Sequence, residues 1–280
     1  MSIHGVLGES TSYSKTYDPT ILFAISRQIG RDEIVKETGF VFDDGTKGVD
    51  VWQAFEISWL NPVGVSEVAM ARLTIPATSP NIVESKSLKL YLNSLNFTKF
   101  TSVQEVKQTI EQDLSNCVGV AVQVEIIDLD SDALGIVKPV GICIDEVLNK
   151  GGNIELTDDI DHSFLMNTKQ AELKRHQFYS NLLRSNCPVT NQPDWGTVQI
   201  DISTDYELDF GDLLKYILSF RQHNGFHEQC VERIFADLMV NFKPQSLKVS
   251  ANYTRRGGID INPVRVFNQE IGEIRRLVRQ

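Results

Sequence analysis

Two stretches of the chain alternate apolar and polar residues with a period of two, Val68-Ala69-Met70-Ala71-Arg72-Leu73-Thr74-Ile75 and Thr197-Val198-Gln199-Ile200-Asp201-Ile202. That period marks half-buried β-strands. Each is followed by runs in which apolar residues return every three or four positions, the helical spacing, and each of these runs is long enough for two helices. Alternation then resumes at Val118–Ile127 and at Ser246–Tyr253, and earlier strands are expected at Val51–Trp59 and around Phe178–Leu183. Each half reads strand, strand, helix, helix, strand, strand. This order predicts an antiparallel sheet with a helical layer on one face, an α+β module present twice.

The two halves are also alike in sequence. Leu88–Phe97 matches Leu213–Gln222 at an offset of 125 residues, with Leu88, Tyr91 and Ser94 falling on Leu213, Tyr216 and Ser219. The same offset places Val106 on Val231 and Leu114 on Met239. The expected organisation is a first module over 1–127, a bridge over 128–177 containing the turn-rich Lys150-Gly151-Gly152-Asn153, and a second module over 178–280. Before about Asp50 there are few periodic runs, and Met1–Thr16 is polar enough to be a surface arm. The polar equipment of the halves differs. Glu84-Ser85-Lys86 faces Asp209-Phe210-Gly211, Ser102-Val103 faces His227-Glu228, and Asn61-Pro62-Val63-Gly64 lacks the cysteine of Asn186-Cys187-Pro188-Val189. One composite site drawing on both halves would explain this, and so would drift after duplication.

Composition narrows the function classes. With 280 residues, 41% hydrophobic and 23% charged, the chain is long enough for two globular domains, and it has no apolar run suited to a membrane. A net charge of −10 argues against gripping nucleic acid by its phosphates, so any link to nucleic acid is expected to be indirect. The four cysteines form no C-x-x-C pair, which leaves no structural zinc pattern, and without a signal peptide they suit a reducing cytoplasm. Cys143 and Cys230 read as packing positions, and Cys117 as the residue after a helix.

Cys187 lies in Ser185-Asn186-Cys187-Pro188-Val189-Thr190-Asn191-Gln192-Pro193-Asp194-Trp195, whose prolines and asparagines predict a loop. A thiol presented by a loop, with the carboxylic acid of Asp194 close in sequence, is a candidate for covalent chemistry. The segment is equally consistent with an ordinary structural cysteine in a turn and a turn-capping aspartate. His227 and Glu228 follow Asn224-Gly225-Phe226 at a predicted helix start, where an acid can serve merely as a partner of the helix dipole.

Glu84-Ser85-Lys86-Ser87-Leu88-Lys89-Leu90-Tyr91, Cys187 through Asp194, Phe226-His227-Glu228 and Tyr253-Thr254-Arg255-Arg256-Gly257-Gly258 occur in this order. In these motifs, and over nearly its whole length, the chain resembles the two-module NADPH-dependent 7-cyano-7-deazaguanine reductases, queuosine-pathway nitrile reductases of the tunnelling fold. The resemblance implies two tandem tunnelling-fold modules, a cytoplasmic enzyme that does not itself contact tRNA, and at least a homodimer, because two modules are too few to close the barrel of that fold. It implies that Cys187 adds to the nitrile as a thioimide and that Asp194 donates the proton, with its pKa raised beside Trp195. Two NADPH then deliver two hydrides. By the same resemblance His227 assists or contacts substrate, Glu228 selects the guanine-like edge, and Phe226 covers the ring. Ile82, Val83 and Glu84 line the pocket, and Ser85, Lys86, Arg256 and Gly257 contact NADPH, although Lys86 and Lys89 also read as solvated helix charges. No resident metal is implied, and no G-x-G-x-x-G follows a strand. Two other readings carry over: a silent binding protein for a guanine-like ligand, and a hydrolase like the zinc cyclohydrolases of the fold, for which His227 and Cys230 lack a third ligand.

Overall fold

The structure, a computed structural model, describes residues 14, 16–43, 45–148, 157, 159–166 and 168–280. The expected arm, apart from Ser14 and Thr16, and the Lys150–Asn153 turn lie outside the described residues. The elements in chain order are β1 (Ala24–Ser26), α1 (Arg27–Thr38), β2 (Lys47–Leu60), β3 (Ser66–Pro76), β4 (Asn81–Val83), α2 (Ser85–Ser94), α3 (Val103–Val118), β5 (Gln123–Ile127), β6 (Ile136–Val137) and β7 (Ile142–Cys143). There follow β8 (Gln170–Asn186), β9 (Pro193–Tyr206), α4 (Phe210–Ser219), α5 (His227–Phe242), β10 (Ser246–Tyr253), β11 (Ile259–Phe267) and β12 (Arg276–Leu277). They form two compact units that are not contiguous in sequence. The first comprises the described residues up to Ile29, Val49–Gly135 and Arg255–Ile261; the second comprises Gly30–Gly48, the described residues from Ile136 to Thr254, and Asn262–Gln280.

In the first unit β2, β3 and β5 pair antiparallel, with Trp52 opposite Leu73 and Leu73 opposite Val124. One face carries the core. Val106, Ile110, Leu114 and Val118 recur every four residues along α3 and are fully buried with Trp52, Leu73, Leu88 and Tyr91. The structure changes two expectations here. Val118 ends α3 and the strand begins only at Gln123, and Cys117 sits in the last turn of α3 rather than after it. No second closing strand of the first half appears among the described residues of 128–135.

In the second unit β8, β9, β10 and β11 pair antiparallel in that order, with β7 parallel to β8 at the edge. Phe178, Val198, Ile200, Leu213, Tyr216, Ile234 and Leu238 form the core between the sheet and α4 and α5. β8 is much longer than the Phe178–Leu183 expected, and Cys143, on the edge strand β7, is exposed rather than packed. A helix the periodicity did not reveal, α1, runs onto the polar side of α5. There Arg31 pairs with Glu232 at 2.7 Å, Glu232 also accepts from the fully buried Arg265 at 2.9 Å, and Arg233 pairs with Glu37 and, at 2.7 Å, with Asp237. Charged side chains bury this face, so no apolar stripe announces it.

The duplication is borne out in detail. Glu84 and Asp209 each cap a helix by accepting two backbone N–H groups, Tyr91 and Tyr216 each donate to a carboxylate of the second helix at 2.6 Å, and Ser94 and Ser219 each donate to the carbonyl three residues back. The carboxylates are Asp113 and Asp237, at an offset of 124 rather than 125. The linker between the helices is one residue shorter in the second half, 223–226 against 98–102, so Leu114 matches Leu238, not Met239, and His227-Glu228 match Val103-Gln104, not Ser102-Val103.

Candidate active site

The loop predicted around Cys187 is the tight connection of the β8–β9 hairpin, confined to 187–192. The Cys187 N–H donates to the Gln192 carbonyl at 2.8 Å and the Asn191 N–H to the Cys187 carbonyl at 2.9 Å, with Asn191 at φ +55°, a conformation asparagine tolerates. Asn186 anchors the turn from below. Its N–H donates to the His223 carbonyl at 2.8 Å and its carbonyl accepts from the Gly225 N–H at 3.1 Å. The residue before Cys187 is thereby tied to the segment that opens α5. A Cβ at Gly225 would lie 2.8 Å from His223 Nε2 and 3.3 Å from Cys230 Sγ, so a larger residue here would have to displace the His223 ring.

Cys187 is half-buried at this turn. Asp194 is buried on the helix-covered face of β9, in line with Val198 and Ile200, and its Oδ2 lies 3.3 Å from His227 Nε2. Trp195, expected to give Asp194 an apolar setting, points to the opposite face because adjacent strand residues alternate; its ring lies under the guanidinium groups of Arg184 and Arg221, each at 5.6 Å. The apolar neighbour is instead Tyr253, which the sequence reading missed. Its ring stacks on that of His227 with centroids 3.8 Å apart and planes 12° apart. Tyr253 was hidden because it reads as one more alternating strand residue.

His227 is the first residue of α5 and Glu228, also buried, the second. In the first half Ser102 caps the equivalent helix by accepting from the Glu105 N–H at 3.2 Å. Phe226, in the matching place, offers no acceptor, and the Phe226 N–H is met instead by Gln229 Oε1 at 3.1 Å. Phe226 is half-buried at the site. Burial pushes the Cys230 thiol up to about 12 and the Cys117 thiol up to about 11, which makes both poor nucleophiles. Burial, and then the negative groups around it, raise the Tyr253 phenol well above its ordinary range.

The residues assigned to substrate and cofactor at Ile82–Lys86, with Arg256 and Gly257, all belong to the first unit. Ile82 and Val83 are buried on β4, Val83 within the hydrophobic core. The carboxylate of Glu84 accepts from the N–H groups of Lys86 at 2.9 Å and Ser87 at 2.7 Å, fixing the start of α2 on which Ser85 and Lys86 stand. Arg256-Gly257-Gly258-Ile259 is a two-residue hairpin turn: Arg256 N–H donates to Ile259 O at 2.9 Å, and both glycines have positive φ, +55° and +76°. That geometry is a type I′ turn and calls for glycine. A Cβ at Gly257 would lie 3.1 Å from Lys89 Cδ, so α2 and this turn meet within the unit, bringing Lys86, Lys89 and Arg256 into one basic neighbourhood. Arg255 is engaged separately, over the Phe55 ring at 4.5 Å. A cavity of about 400 Å³ in the second unit is lined by Gln177, Gln199, Asp201, Lys248 and Arg275 and includes none of these site residues.

Residues 13–126 match the family model described as nitrile reductase, 7-cyano-7-deazaguanine-reductase N-term, and residues 193–271 match that described as QueF-like protein. The NADPH-dependent 7-cyano-7-deazaguanine reductase of Psychrobacter cryohalolentis is 54% identical, covering 100% of both chains. That of Acinetobacter baumannii is 49% identical over 93% of this chain and 92% of its own. The apo crystal structure of an archaeosine synthase QueF-Like, 18% identical with a TM-score of 0.31, covers 36% of this chain and 99% of that one, a likeness too slight to carry an argument.

Proposed function

Because the chain belongs to the 7-cyano-7-deazaguanine reductase family of nitrile reductases, we propose that it reduces the nitrile of 7-cyano-7-deazaguanine to the primary amine with NADPH as reductant, in queuosine biosynthesis. The observation that carries the chemical reading is the pairing of Asp194 with His227 on the face where the Cys187 turn is tied to the start of α5.

The Cys187 thiolate adds to the nitrile carbon, forming the C–S bond, and the displaced π pair on nitrogen takes a proton from the Asp194–His227 pair. NADPH, when bound, would supply a hydride to the thioimide carbon. The electron pair left on nitrogen then re-forms the C=N bond as the C–S bond breaks, which releases the neutral imine and restores the Cys187 thiolate. A second hydride and proton complete the amine, so each nitrile consumes two NADPH and two protons. Glu228 accepts from the ring N–H and exocyclic amine of the base, and Phe226 covers its plane. Glu84, by capping α2, sets Ser85 and Lys86; with Arg256 and the Gly257 turn these hold the anionic cofactor. Ile82 and Val83 back the same segment.

The two modules, 1–127 and 178–280 with the bridge 128–177 between them, are tunnelling-fold modules. The enzyme acts as a homodimer in the cytoplasm, without binding nucleic acid itself. Among the described residues no helix is long and apolar enough to cross a membrane. The test is to incubate the protein with the nitrile and without NADPH, and to map any mass adduct. An adduct on Cys187 that disappears on adding NADPH, with two NADPH oxidised per amine, is expected. An adduct that persists in Cys187→Ala overturns the assignment.

A further inference from the structure

The stack between Tyr253 and His227 is unusually close for two uncharged rings. Neutral aromatic pairs settle in offset or edge-on arrangements with centroids roughly 4.5–7 Å apart, because overlapping quadrupoles repel. Here the centroids are 3.8 Å apart and the planes nearly parallel. The contact holds the two rings face to face rather than edge on. His227 Nε2 points at Asp194 Oδ2, and Glu228 adds a second carboxylate on the same helix. The Tyr253 phenol itself stays neutral because burial and the nearby Cys230, Asp194 and Glu228 oppose its ionisation. Nδ1 of His227 is buried and has no hydrogen-bond partner among the described residues, so the ring plane is not fixed from that side. Tyr253 is held in turn through its backbone: its carbonyl accepts from Gln280 Nε2 at 3.1 Å, and β10 pairs it with Gly196 of β9.

We propose that Tyr253 is the positioning residue of the proton-donating pair: its ring fixes the imidazole plane of His227 and directs Nε2 to Asp194. This rests on the role of His227 and Asp194 proposed above. Groups facing His227 are Asp194 from β9, Tyr253 from β10, and Glu228 and Cys230 from its own helix α5; of these only Tyr253 is proposed to act through its ring face.

The experiment compares Tyr253→Phe, Tyr253→Leu and Tyr253→Met with the parent and with His227→Ala, measuring kcat, KM for the nitrile, and the pH profile of kcat by NADPH oxidation, after circular dichroism has confirmed folding. Tyr253→Phe keeps the stack and is expected within about twofold of the parent with an unchanged profile. In Tyr253→Leu, or in Tyr253→Met if the leucine variant does not fold, kcat falls at least about tenfold while KM changes little. A leucine or methionine variant with the parent's kcat, beside an inactive His227→Ala, overturns this inference alone. Turnover retained in His227→Ala overturns the reading of the pair and this inference with it. A Tyr253→Phe as impaired as Tyr253→Leu places the effect in the hydroxyl and also overturns the proposal.

Discussion

The four cysteines should react with iodoacetamide at rates that separate the proposed nucleophile from its neighbours. Alkylation proceeds through the thiolate. Burial raises the Cys230 thiol from 9.0 to about 12, and because each unit is a tenfold change in population, its thiolate at neutral pH is depleted by about 10³ relative to an ordinary thiol. The corresponding depletion for Cys117, pushed to about 11, is about 10². The greater intrinsic nucleophilicity of a higher-pKa thiolate offsets part of this depletion, whereas fully buried Cys230 is also sterically closed to the reagent. Cys143 is exposed and Cys187 half-buried at its turn. Folded protein treated at pH 7.5, quenched at intervals, digested and quantified by mass spectrometry should therefore label at Cys143 and Cys187 first, then Cys117, with Cys230 last. Prior incubation with the nitrile should protect Cys187 and leave Cys143 unaffected. Labelling of Cys230 within tenfold of Cys187 in folded protein, or protection of Cys143 in place of Cys187, would refute the reasoning. The same shift has a stability sign. The folded state favours the neutral Cys230 thiol, so its contribution is complete below about pH 9 and is lost as pH rises towards about 12. Cys230→Ala should flatten the alkaline loss of stability in urea melts over that window.

Asp194→Asn should reduce kcat by about 10² to 10⁴ with little change in substrate affinity, because the amide preserves the shape of the side chain facing His227 and cannot yield a proton at neutral pH; near-parent turnover would demote Asp194 to a structural role. Glu232→Ala should cost about 3–5 kcal/mol in denaturant unfolding, since it removes the carboxylate shared by Arg31 and the fully buried Arg265, and a loss under 1 kcal/mol would show that the arginines find other partners. Gly258→Ala places a Cβ 2.8 Å from Glu56 Oε2 at φ +76°, so it should destabilise by about 1–2 kcal/mol and raise KM for NADPH through the displaced Arg256-Gly257 turn, with kcat at saturating NADPH retained. An unchanged KM would detach that turn from cofactor binding.

The parts of the fold legible in the sequence are those whose burial follows a simple period. α3 buries Val106, Ile110, Leu114 and Val118 at steady spacing, and β3 and β9 alternate as half-buried strands should. α1 was illegible because it meets α5 through Arg31, Glu37, Glu232 and Arg233, charges that a hydrophobic pattern counts as surface. Cys143 was misplaced because apolar neighbours such as Ile142 also occur on an exposed edge strand. At the site, Cys187, Asp194, His227 and Glu228 were named from a resemblance in their motifs. Tyr253 opens one of those motifs but was given no role there, since only the fold reveals that a residue about 26 positions on from His227 lies against its ring.

Comparing the two halves position by position shows how little of the scaffold the chemistry required. In the first half Leu60 exchanges backbone hydrogen bonds with Thr98 and Phe100, as Asn186 does with His223 and Gly225 in the second. The hairpin turn that follows is closed by Asn61 in the first half and by Cys187 in the second, each bonding to the residue that ends its turn. Cys187 therefore matches Asn61 rather than the proline after it. Register carries the match forward: Ser66 opposite Leu60 corresponds to Pro193 opposite Asn186, so Glu67 stands where the second half has Asp194. With Val103 and Gln104 in the places of His227 and Glu228, all four proposed site positions differ between the halves, while the Tyr–Asp bonds, the side-chain caps of α2 and α4 and the strand bridge occur in both. Two backbone changes lie nearby: the turn that opens with Cys187 has six residues, 187–192, against five, 61–65, and one residue is missing between the bridge and α5. Its loss removes the serine cap and sets an imidazole at the first position of a helix whose start is already fastened to the cysteine turn.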